Sequence, residues 1–364
     1  MRKNKIYFFQ FLNTSKPPTG GFDFLQFIER GFIFSLLLIG LLIIISCTER
    51  KGLSERVNDS PDLSTLFEAY KTQHQSRDSI RLVVQNLKKD SLTNQLLFDL
   101  SYHFYQLNDK KEFTFWNKKT FDLSYKLKDT LRIAEAHWDK GNFLSKNEVL
   151  DSSLFHHQKA FLLYSAQGKE FLAARMLLNI GILQKNIKDY TGSEVTTVRA
   201  IKILKKFEEA KQLYIGYNNL GIIHNELGDF KNSLDYHLQA LDKAKEMDDS
   251  YLISTTLNNI GLAYTKNGNY LDATKSFKKS LANEELKRKH IRLYAMLKDN
   301  LAYAQFKENP EFSLTNDFLF ALQIRDSIDH QAGIVINKLH LGEYLLYYND
   351  SIGAKSYLEE AFVM

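Results

Sequence analysis

Residues 218–241 read NNLGIIHNELGDFKNSLDYHLQAL, and residues 258–281, forty positions on, read NNIGLAYTKNGNYLDATKSFKKSL. Small and large side chains coincide between the two. Carrying the same offset outward gives seven units, with a small residue recurring at Ser101, Gly141, Gly181, Gly221, Gly261, Ala302 and Gly342. Nineteen residues after each come Thr120, Ala160, Ala200, Ala240, Ser280, Ala321 and Ala361. The next residue is always large and apolar: Phe121, Phe161, Ile201, Leu241, Leu281, Leu322 or Phe362. One spacing slips, by a single residue, between Gly261 and Ala302.

Such spacing predicts two antiparallel helices per unit. Small residues at fixed positions let helix backbones approach closely, and the large residue beside the alanine fills the gap to the next unit. Between the helices lie Gly228-Asp229-Phe230, Gly268-Asn269-Tyr270 and Lys188-Asp189-Tyr190. A glycine there ends the first helix in a left-handed cap, and Asp or Asn caps the second. Pro310 falls at the same turn and is expected at a helix start, where proline is tolerated.

The small residue of the first helix, the Gly-Asp/Asn-Tyr/Phe turn and the small residues of the second helix resemble the tetratricopeptide repeat. The resemblance covers residues 94–364 and is closest to the long repeats of kinesin light chain and the spindle-orientation scaffolds, since the usual unit is about 34 residues. It implies an all-α protein, a right-handed α-solenoid of about seven helix-turn-helix repeats over residues 93–364, the last one incomplete. Residues 61–92 are expected to form an N-terminal capping helix pair, and 48–60 a polar tether.

Composition agrees. Among 364 residues only Pro17, Pro18, Pro61 and Pro310 are prolines, so 62–309 holds none, which favours helices over a turn-rich β fold. Lysine and arginine total 48 against 43 acidic residues. That near-balance is no footprint for nucleic acid. A single cysteine, Cys47, excludes an intrachain disulfide framework and a cysteine-based zinc site.

Residues 31–46 read GFIFSLLLIGLLIIIS, an uncharged run preceded by Arg30. It is short for a spanning helix and suits the apolar core of an export signal. Its end, Ile44-Ile45-Ser46-Cys47, resembles the bacterial lipoprotein box, which implies lipidation at Cys47. Residues 1–47 are therefore expected to be a signal peptide with lipobox or a membrane anchor. The basic start keeps the N-terminus cytoplasmic and puts the repeats at the bacterial cell envelope, on the periplasmic side.

The search for chemistry finds no phosphate-binding loop, dinucleotide fingerprint, zinc-protease motif or nucleophile elbow. His224 and His237 occupy large-residue positions of the repeat and read as packed side chains. No catalytic residues, cofactor or metal are expected. The sharpest constellation is Asn179, Asn219, Asn259 and Asn300, each two residues before the central small residue or its equivalent. Stacked units would align them along the concave surface, where amides can pair with the backbone of an extended peptide. Peptide-binding long-repeat tetratricopeptide proteins are similar at this position. Neighbouring groove candidates are Asn142, Asn218, Asn225, Asn258, Lys185, Lys266 and Lys307. The expected function is a non-enzymatic scaffold that binds a peptide or protein, is attached to the membrane through its N-terminal lipid or anchor, and can associate end to end. The alternative is the truncated input region of a repeat-containing histidine kinase or membrane-bound helix-turn-helix regulator.

Overall fold

The computed structural model describes residues 77–363. The export segment with Cys47, the tether over 48–60 and the start of the expected cap lie outside the described residues. The described residues form sixteen α-helices and no strand. After α1 (Arg77–Asn86), helices pair in sequence: α2 (Ser91–Gln106) with α3 (Lys110–Leu127), α4 (Thr130–Lys146) with α5 (Leu150–Ala166), and α6 (Glu170–Asn186) with α7 (Tyr190–Leu204). Next come α8 (Ala210–Glu226) with α9 (Phe230–Glu246) and α10 (Ser250–Lys266) with α11 (Tyr270–Leu281). The single-turn α12 (Glu285–Lys289) precedes α13 (Ile291–Glu308), which pairs with α14 (Thr315–Ser327), and α15 (Gln331–Tyr347) pairs with α16 (Ser351–Val363). This is an all-α solenoid of stacked helix pairs.

The reason for the recurring small residue is visible within each pair. A Cβ built on Gly141 would lie 2.8 Å from the His157 ring, one on Gly221 2.5 Å from His237, and one on Gly261 2.4 Å from Phe277. Each glycine thus seats a side chain that stands sixteen residues later on the second helix. A serine secures the crossing: Ser153, Ser193 and Ser233 donate from Oγ to the carbonyls of Gly141, Gly181 and Gly221 at 2.7, 2.6 and 2.8 Å. Between pairs, Leu177, Leu178, Leu204, Leu213 and Leu220 share one buried cluster around Ala200 and Ala240. Burying each such leucine contributes about 1.5–3 kcal/mol.

The turns follow the expected capping with one difference. Asp129, Asp189, Asp229 and Asn269 accept from backbone N–H groups in the first turn of the helix they start. The left-handed residue before them is glycine at 168, 228 and 268, but Asn108, Lys128, Glu148, Lys188, Glu208, Asp248, Asp329 and Asn349 also adopt positive φ. The turn is imposed by the helix packing on both sides and does not depend on glycine.

Two expectations need correction or explanation around the sixth pair. Pro310 does not start a helix: α13 ends at Glu308 and α14 begins at Thr315. Asn309, held extended before the proline with φ −144° and ψ 101°, ends the first helix, and the chain runs irregularly to Leu314. Tyr344 and Tyr348 hold that stretch: Tyr348 donates to the Pro310 carbonyl, and the Leu314 N–H donates to Tyr344 Oη at 3.0 Å. The single-residue slip before Ala302 is α12. There the second helix stops early at Leu281, and buried Leu286 on the extra turn fills the space its last turn would take.

Candidate functional site

The asparagines singled out by spacing lie on the first helices of successive pairs, and most meet each other across the pair boundary. Asn259 Nδ2 donates to Asn218 Oδ1 at 2.9 Å, joining α10 to α8. Asn300 Nδ2 donates to Asn258 Oδ1 at 2.9 Å, joining α13 to α10. Asn179 Nδ2 reaches Asn142 Oδ1 at 3.5 Å, the outer limit of a hydrogen bond, between α6 and α4. Asn142, Asn179, Asn218 and Asn259 remain partly exposed. A primary amide has two donors and a two-lone-pair acceptor, so a member of such a pair keeps capacity for a second partner.

Asn219 is placed differently. It is 3% exposed and donates to Ser193 Oγ at 3.3 Å and Thr197 Oγ1 at 2.9 Å on α7. Its Oδ1 and that of Asn225 are buried with no hydrogen-bond partner among the described residues. The lysines come together with acids of the neighbouring pair. Lys266 Nζ sits 2.8 Å from Glu226 Oε1, and Lys307 Nζ sits 3.0 Å from Glu343 Oε1. Burial pulls the ammonium of Lys185 below its ordinary pKa, and the nearby Glu226 opposes that.

Beside these amides lie further groups, of which spacing shows some and misses others. Asp139 holds the asparagine position in the second pair; it is buried, and its Oδ2 is unpartnered. Burial, then the Glu135 carboxylate, pushes Asp139 up to about 7. Arg175 stacks its guanidinium over Trp138 at 4.3 Å, closing the boundary between the second and third pairs. Tyr303 stacks on His340 at 4.1 Å and donates to Glu343 Oε2 at 2.9 Å. The Asp139 substitution was readable as a break in the asparagine series, whereas the Trp138–Arg175 pair carries no repeating signal. Among the described residues there is no group of three His, Cys, Asp or Glu side chains placed to share a metal. No helix among them is long and apolar enough to cross a membrane.

A solenoid of helix pairs with close-packed small residues and capped turns is the architecture of tetratricopeptide repeats. Residues 212–285, within α8 to α12, match the family model for the tetratricopeptide repeat. Among curated proteins none matches the sequence. The fold is similar to the apo form of RapI, with a TM-score of 0.63 at 14% identity over 74% of this chain and 96% of that one. It is also similar to aspartyl phosphate phosphatase F from Bacillus subtilis, with a TM-score of 0.63 at 12% identity over 82% and 78% of the two chains. NprR in complex with its cognate peptide NprX aligns with a TM-score of 0.55 at 16% identity, over 82% of this chain and 86% of that one. At such identities the likeness is one of fold.

Proposed function

We propose that this protein is a non-catalytic scaffold that binds an extended peptide along the amide-bearing faces of its first helices. The observation that carries the reading is the pair of part-exposed amide bridges Asn142–Asn179 and Asn218–Asn259; Asn258 and Asn300 pair in the same way but are buried, at 1% and 6% exposure. Partly exposed amides at a fixed interval suit a peptide backbone, which repeats its own donors and acceptors. Lys185, Lys266 and Lys307 stand on the same first helices as these asparagines, and the Asn225 oxygen is buried. A similar fold holds a peptide in the NprR–NprX complex, and this supports the reading by analogy. The fold likeness to a phosphatase carries no residue role to this chain.

The test is selection of a peptide from a random library on the full chain, followed by titration of Asn179→Ala with Asn259→Ala. We expect at least a tenfold loss of affinity with an unchanged circular dichroism spectrum. Equal affinity in the double variant would sink the amide groove. Asn219→Ala with Asn259→Ala is the harsher version, because Asn219 also ties α8 to α7.

The same proposal places the repeats outside the cytoplasm, tethered through a lipid on Cys47. Incorporation of labelled palmitate that is lost in Cys47→Ser tests it. Self-association would use the outer face of α16. Phe362 on that face is 92% exposed. A concentration-independent sedimentation coefficient would exclude it.

A further inference from the structure

Among the described residues, a gap lies between the first helix and the pair that follows it. α1 is shorter than the second helices of the regular pairs. Its arm to the array is Arg81, which pairs with Glu112 on α3 and stacks over Phe115 at 4.7 Å. Trp116 Nε1, one turn further along α3, donates to the same Glu112 at 3.2 Å, so one buried carboxylate accepts from both Arg81 and Trp116. A cavity of about 260 Å³ lies between α1 and the first pair. Leu97, Trp116 and Leu123, all buried core residues, line it, with Val84 and Leu87 on the α1 side. Exposed Lys89, Lys119 and Lys126 also line it, against one carboxylate, Asp122.

We propose that this cavity is a binding site for a small amphiphilic carboxylate, a medium-chain fatty acid in class, with its alkyl body against Leu97, Trp116 and Leu123. Its carboxylate lies among Lys89, Lys119 and Lys126. The chemistry fits on three counts. The walls are apolar, so an alkyl chain gains by leaving water. The cavity is smaller than those that hold drug-sized ligands, which limits the occupant to a short chain. The lysines outnumber the single acid at the mouth, and an anion there keeps its headgroup partly hydrated while paired, at little desolvation cost. The site is separate from the amide row and does not depend on it.

Trp116 is its reporter, since the chain has two tryptophans and the other is Trp138. The experiment uses the full chain carrying Trp138→Phe and titrates terminally brominated decanoate, whose bromine quenches indole fluorescence on contact. We expect saturable quenching of Trp116 and none of Trp138 in the reciprocal Trp116→Phe chain. Lys119→Glu and Lys126→Glu, both at exposed positions, should each weaken binding roughly fivefold. Val84→Phe should abolish it by filling the space. Decylammonium, with the same tail and the opposite charge, should not compete. Equal quenching of both tryptophans, unchanged affinity in the charge-reversal variants, or competition by decylammonium would each overturn the proposal. The lysine variants keep the test decisive if Val84→Phe perturbs folding, which circular dichroism would report.

Discussion

Replacing Gly261 with alanine sets two effects of opposite sign against each other. On an open helix surface, glycine to alanine stabilises by about 1 kcal/mol. Here the new methyl would sit 2.4 Å from Phe277 Cε1 and 2.7 Å from both Cδ1 and Cζ. Carbon atoms at their optimum are about 3.5–4.0 Å apart, so the ring must retreat by about 1 Å. It has nowhere to go, being wholly buried in one cluster with Ala273, Leu286, Leu293 and Leu297. Overpacking costs about 1–3 kcal/mol, and an approach this close in a full cluster belongs to the upper part, about 2–3 kcal/mol, so the net effect is a loss of about 1–2 kcal/mol. Trimming the ring in Phe277→Leu should relieve the clash, leaving the double variant more stable than the two separate losses imply by about 1 kcal/mol. Repeat arrays unfold unit by unit, so the assay is hydrogen exchange of the α10 and α11 amides alongside urea denaturation. A Gly261→Ala protein as stable as its parent, or strict additivity with Phe277→Leu, would refute the reasoning.

The left-handed turns give the converse experiment: Glu148→Gly and Lys188→Gly, at φ 61° and 65°, should each stabilise by about 0.5–1 kcal/mol, visible as a raised melting temperature. Burial holds the imidazoles of His157 and His237 down to about 4. The folded state thus binds fewer protons than the unfolded chain, and their stabilisation is complete above about pH 6.5 and lost as pH falls towards 4. Urea midpoints should drop across that window, and His237→Phe, which copies Phe277, should flatten the drop; a flat profile in the parent would contradict the burial. In α14, Arg325 pairs with Asp299 of α13 at 2.9 Å, with both side chains almost wholly buried. Arg325→Met should cost about 3–5 kcal/mol by leaving the buried carboxylate with only His340 Nδ1 at 3.1 Å, and adding Asp299→Leu should recover most of it; a mild single variant would show that His340 or water compensates the charge.

Much of this molecule was legible because a repeat states the same packing requirement seven times. Gly221 alone says little, but Gly221 together with Gly141, Gly181 and Gly261 specifies a helix crossing tight enough to exclude a Cβ. The capping aspartates were readable for the same reason. What the repeat hid were its local departures. Like Ser101, Ala302 carries the Cβ that the glycine crossings exclude, and it shares a buried cluster with Phe318. This is the pair whose second helix enters through the irregular stretch after Pro310 and so approaches by a different path. α12 appears in the sequence only as one extra residue of spacing, because the helical turn it adds replaces one that α11 gives up.

The candidate site shows where spacing stops being informative. Equivalent positions put Asn179, Asn219, Asn259 and Asn300 at the same height on successive first helices, but they do not fix what each amide bonds to. That depends on the neighbour across the boundary. Where α7 offers the Ser193 and Thr197 hydroxyls, Asn219 turns to them. Where the neighbour on the preceding first helix is Asn218 or Asn258, the amides of Asn259 and Asn300 pair across the boundary. A row of amides already bonded to one another keeps its geometry without a ligand, so a peptide would meet preorganised groups and leave little side-chain entropy to lose. The same pairing lowers what each asparagine can add, since a ligand competes for one amide valence and does not satisfy an empty one. Affinity along such a row should therefore be shared over several boundaries, with sequence preference set at the places where the row is interrupted. Asp139, whose buried carboxylate replaces the amide, and Asn219, whose amide turns to α7, are those places.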